Sequence, residues 1–114
     1  MKPYPEAYSL PRPKPQFWMV AGFKMTNAEI RKMLGDPHYT ETDGTRTHGG
    51  NEDHWAFTLA SGQHVGIESR IPYGTVILYS DKPDLKEILC AIELPPDLVS
   101  DSSRFEIYNP PFKA

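Results

Sequence analysis

The chain has 114 residues, a net charge of −3 and a sequence pI near 5.7, which is the size of one modest domain. Lys and Arg are scattered without a basic run, so binding to nucleic acid through the phosphate backbone is disfavoured. With 39% hydrophobic and 11% aromatic residues the chain is a folding sequence, and one cysteine excludes an internal disulfide framework.

Residues 1–15 read as an extended proline-rich arm, leaving 16–114 as a single domain. Pro11, Pro13 and Pro15 at every second position remove backbone donors and favour extended geometry. This N-terminus has no apolar signal-peptide core, and no stretch approaches the roughly 18 apolar residues that span a bilayer. The cytoplasm is the expected location, with no membrane contact.

Phe17 to Phe23 is a short apolar run expected to be a strand. Thr26 and Glu29 then have capping-box spacing, and Met25 with Ile30 that of a hydrophobic staple. Ile30, Met33 and Leu34 share one helical face, and Gly35 and Pro37 end the helix after about two turns. So short a helix is stable only when docked on a sheet.

His38 to Thr42 suggests a further short strand, and residues 43–52 a polar, glycine-containing loop. A meander of short antiparallel strands follows, from about Asp53 to Tyr79. Trp55, Phe57 and Leu59 alternate with Ala56, Thr58 and Ala60, the period of a half-buried strand. Ser61-Gly62 suggests a hairpin turn, after which Val65 and Ile67 alternate with His64, Gly66 and Glu68. Ile71-Pro72-Tyr73-Gly74 turns the chain again. Val76 to Tyr79 is apolar on both faces, which predicts cover on each side of that strand.

Leu85, Ile88, Leu89 and Ile92 form one buried face of a second helix. Cys90, inside that apolar run, is expected to be a buried structural thiol. Phe105 and Ile107 suggest a final edge strand, through which the protein can pair with a second copy. The expected class is therefore α+β: an antiparallel sheet of about four to five strands, two short helices packed on it and the arm.

Thr26, Glu29, Ile30, Leu34-Gly35-Asp36-Pro37 and then Trp55-x-Phe57 resemble the β-lactamase-inhibitor-like and outer-membrane-assembly-lipoprotein-like small α+β domains. In those a capped helix ending in Leu-Gly-x-Pro leads into a three-stranded meander. The resemblance covers about half the chain. It implies a binding module and carries over no site residues. The proline arm and the second helix are additions to that pattern.

The densest polar cluster is His48-Gly49-Gly50-Asn51-Glu52-Asp53-His54. Its two imidazoles and two carboxylates are the donor types of a divalent metal site, but the spacing matches no recognised zinc motif. His64 and Glu68 fall on one strand face with Gly66 between them, a place for a ligand or a general base. Solvated loop and polar outer sheet face are the simpler readings of both. Neither a nucleophile motif nor a phosphate loop is present.

The expected function is that of a non-enzymatic protein-binding module without a cofactor. More narrowly, it is an inhibitor or immunity-type protein that blocks a toxin or an enzyme. The contacts are expected at His48, Glu52, Asp53, His54 and Tyr73, from the 43–53 loop and the glycine–proline turn. The alternative is a small enzyme or metal-dependent domain using His48, Glu52, Asp53, His54 and His64.

Overall fold

The computed structural model describes residues 1–8, 17–42, 51–82, 84–92, 99–100 and 107–108. Among these residues the frame is an antiparallel sheet of eight strands with two α-helices, an α+β arrangement. The strands are β1 (Lys2–Pro3), β2 (Phe17–Lys24), β3 (Tyr39–Glu41), β4 (Glu52–Thr58), β5 (His64–Arg70), β6 (Thr75–Ser80), β7 (Val99–Ser100) and β8 (Ile107–Tyr108). The helices are α1 (Asn27–Leu34) and α2 (Leu85–Ile92). Among the described residues no helix is long and apolar enough to cross a membrane.

The expected count of four to five strands is exceeded: β3 falls within the short strand expected at His38–Thr42 and β8 at the edge strand expected near Phe105 and Ile107, while β1 and β7 are additional. β4, β5 and β6 form the meander, and β2 adds to β6 as the fourth long strand. Each outer edge then carries two very short strands end to end. β3 and β1 share the free edge of β4, pairing at residues 52–54 and 57–58, while β7 and β8 share the free edge of β2. The two-residue strands β1 and β7 leave too little periodicity to be read from sequence. Short edge strands also limit pairing with other chains.

The imidazole of His38 fills the junction between β3 and β1. The His38 amide donates to the His54 carbonyl at 2.8 Å, and its Nδ1 accepts the Ala56 amide at 3.0 Å. Tyr4 continues the β1 pairing by donating to the Ala56 carbonyl at 2.8 Å. The described part of the N-terminal arm is therefore a strand and a 3₁₀ turn (Pro5–Tyr8) docked on β4. Its proline-rich portion at 11, 13 and 15 lies outside the described residues.

α1 forms as its caps dictate. The Glu29 amide donates to Thr26 Oγ1 at 3.2 Å, and the Thr26 amide donates back to Glu29 Oε1 at 3.1 Å. Met25 and Ile30 are both buried in the main core, the two halves of the staple. Gly35 ends the helix at φ +83°, where its amide reaches the Arg31 carbonyl at 2.7 Å.

Both helices pack on the same sheet face, so the cover expected on the other side of the third meander strand is not supplied by either of them. Ile30 of α1 and Ile88 and Ile92 of α2 join one core with Trp55, Phe57, Val65, Ile67, Val76, Leu78 and Phe23. Trp55 is fixed there by a hydrogen bond from its Nε1 to the Gly35 carbonyl at 3.2 Å. A register shift between Met19 and Ala21 in β2 turns both Val20 and Ala21 into this core. Cys90 is exposed, not buried, because it lies on the side of α2 away from Ile88 and Ile92.

Among the described residues no α-helix lies on the opposite sheet face, which carries the 3₁₀ turn of the arm. Ala7 and Tyr4 pack there with Ala56 and Tyr39, and Phe17 packs with Tyr79, Met19 and Ile77. That second cluster accounts for the apolar outer positions of β6. Between the two small clusters lies a group of charged and polar side chains.

Candidate functional site

The polar group follows from strand register. Glu52 and His54 are two residues apart on β4, so both point to the helix-free face. On β5, Glu68 is the direct partner of His54, and Arg70 that of Glu52. Tyr79, on β6, is the partner of Gly66, one position further along the same face.

The side chains are closely joined. His54 Nε2 lies 3.1 Å from Glu52 Oε1, and Arg70 Nε donates to Glu68 Oε2 at 2.6 Å. Arg70 also reaches the Tyr79 hydroxyl, Nη2 to Oη at 3.4 Å. One donor atom each from Glu52, His54 and Glu68 lie within 4.8 Å of one another. Burial pushes the Tyr79 hydroxyl far above its usual range, and Glu68 and Glu52 add to this against the opposing effect of Arg70. Tyr79 therefore stays protonated at any physiological pH.

The meander is thus not half exposed on this side. Glu52, His54 and Glu68 retain only 3%, 1% and 4% of their exposure. A substrate in solution has no direct approach to these three groups as they stand.

Asp53 has a separate role. It points to the helix-bearing face and is wholly buried, accepting from Asn27 Nδ2 at 2.8 Å, Arg31 Nε at 2.9 Å and Thr40 Oγ1 at 2.9 Å. Burial alone raises a carboxyl's pKa. Here the hydrogen bonds from Arg31, Asn27 and Thr40 and the Arg31 charge outweigh burial and hold Asp53 below its usual value. Asp53 ties the first turns of α1 to β3 and β4. It is an anchor of the fold.

The structure separates the other residues singled out by sequence. His48 lies outside the described residues. Glu52 and Asp53 belong to β4 and not to a loop. His64 stands apart from the cluster, its ring stacked on Tyr4 at a centroid distance of 4.6 Å and its Nδ1 3.0 Å from Thr58 Oγ1. His64 and Glu68 share a strand face as expected, but the cross-strand neighbour of Glu68 is His54. That relation needs the register of β4 on β5, which no local spacing supplies.

Tyr73 is on the surface. It lies in a 3₁₀ turn, Ile71–Tyr73, followed by Gly74 in the left-handed region at φ +61°. Tyr73 keeps 57% of its exposure and Ile71 37%, and Pro72 is exposed between them. The turn is tied at both ends. The Ile71 amide donates to the Asn51 carbonyl at 3.1 Å, and the Met25 amide donates to the Gly74 carbonyl at 3.0 Å.

Comparison of the chain with family models, with curated proteins and with solved structures gives no match.

Proposed function

We propose that this domain is a non-enzymatic protein-binding module, acting as an inhibitor or immunity-type protein against a toxin or an enzyme in the cytoplasm. The observation that carries this reading is the exposed apolar tip Ile71-Pro72-Tyr73, held by backbone hydrogen bonds at each end. A large aromatic side chain on a pre-ordered turn loses little conformational freedom when it docks, which is how interface anchors gain affinity. The turn is bonded to Asn51, so a surface formed by this tip continues to Asn51, just before the start of β4.

Burial of the acid–base groups favours this reading over the enzymatic one. Glu52, His54 and Glu68 are the described cluster best suited to proton transfer, and they are closed from solvent. The net charge of −3 suits a basic partner without requiring one.

The test is complex formation with the products of neighbouring genes, followed by size-exclusion chromatography. A stoichiometric complex that is lost on combining Ile71→Ser with Tyr73→Ala supports the assignment. Failure of every candidate to bind wild-type protein contradicts it.

A further inference from the structure

We propose that Glu52, His54 and Glu68 form a site for one divalent transition-metal cation of the zinc type, built into the helix-free face of the sheet. Three features of the structure lead to it.

The first is geometry. The three donor atoms lie within 4.8 Å of one another, and the His54 Nε2 to Glu52 Oε1 distance is 3.1 Å. Zinc bonds of roughly 2.1 Å to nitrogen and oxygen give a tetrahedron with edges of about 3.4 Å, so small side-chain rotations bring all three atoms onto one ion.

The second is rigidity. His54 and Glu68 are cross-strand partners, and Glu52 is two residues along the same strand, so the sheet itself holds the donors in register. Little ordering remains to be done on binding. Arg70 adds to this by holding Glu68 through Oε2, the role that outer hydrogen-bond partners have around metal ligands.

The third is donor chemistry. One imidazole and two carboxylates suit zinc, manganese, iron or cobalt, whereas magnesium and calcium favour oxygen donors alone. Three protein ligands leave a fourth position for water. Near-complete burial of the three side chains fits a cation that supports the sheet.

The site differs from the one suggested by the sequence cluster at residues 48–54. Glu68 replaces Asp53, which is engaged by Arg31, Asn27 and Thr40 on the other face. His64 is excluded by its position against Tyr4.

The experiment uses the full chain without a histidine tag, stripped of metal by a chelator and titrated with Zn²⁺ alone by calorimetry. Saturation at one equivalent is expected. Glu52→Gln and His54→Gln should each weaken binding by at least about a hundredfold, while Mg²⁺ and Ca²⁺ do not compete. Histidine-labelled wild-type protein provides a readout that does not depend on the variants folding. Zn²⁺ should shift the His54 ring nitrogens at one equivalent and leave those of His38 and His64 in place. Absence of saturable binding, binding that survives both substitutions, or an unmoved His54 resonance overturns the proposal.

Discussion

Glu52 and Asp53 are consecutive on β4, and their carboxylates lie on opposite faces of the sheet, one 3.1 Å from His54 Nε2 and the other 2.9 Å from Arg31 Nε. The two-residue period of the strand alone assigns them these different roles. Replacing Asp53 should therefore unfasten α1, with no change to the exposed tip. Asp53→Ala leaves Thr40 and Arg31 without this acceptor and Asn27 with Ser69 Oγ in its place, and should cost about 2–3 kcal/mol in urea denaturation.

The same residue predicts acid sensitivity. Because the folded-state pKa of Asp53 is lowered, its contribution is present above the unfolded carboxyl value, near 3.8, and is lost as pH falls through the lower folded value. Wild type should lose stability through that acid range, and Asp53→Asn should lose less. Stability curves between pH 5 and pH 2 for the two proteins check this.

His38 should give a second, separate pH effect. Burial lowers its pKa, with Glu6 partly opposing, and its Nδ1 must be unprotonated to accept the Ala56 amide. The unfolded state therefore takes up the proton first. Stability declines as pH falls below about 6.5 and levels off beneath the lowered folded value. In His38→Asn, whose amide oxygen can still accept, the decline between pH 7 and pH 5 should be smaller than in wild type.

Truncation of the helix-side core should be more costly than truncation of the tip. Ile30 is fully buried where α1 meets the sheet, so Ile30→Ala should destabilise by about 2–5 kcal/mol. Tyr73→Ala and Ile71→Ser, at partly exposed positions, should each cost less than Ile30→Ala, on the order of 1 kcal/mol. Thermal unfolding of the three variants distinguishes these expectations.

Much of the frame is legible locally. The Thr26–Glu29 box, the Met25–Ile30 staple and the Gly35 stop all lie within a few residues of one another, and the structure forms each of them. The alternation of Trp55 and Phe57 likewise identifies the face of β4 that meets the helices, though β4 is buried on both faces. What stays hidden is whatever depends on pairing distant segments. The two-residue edge strands β1 and β7 are too short to show a period. The placement of α2 beside α1 follows from the path of the chain across the sheet, not from the composition of α2. Cys90 is exposed because an apolar run in a helix is not buried all round.

The candidate site divides in the same way. Exposure of Tyr73 follows from its glycine–proline turn, which sequence displays. The gathering of His54 with Glu68 depends on a cross-strand register that makes residues 54 and 68 neighbours. Asp53 looks like a member of the acidic cluster in sequence and leaves it once the strand is drawn.

The most direct test of the protein-binding assignment is the affinity of the purified domain for its partner, measured with wild type and with the Ile71→Ser/Tyr73→Ala double variant. The assignment predicts a one-to-one complex for wild type and a loss of at least about tenfold, some 1.4 kcal/mol, for the variant while it remains folded at the temperature of the measurement. Equal affinity of the two proteins, or no partner bound by wild type, would contradict it.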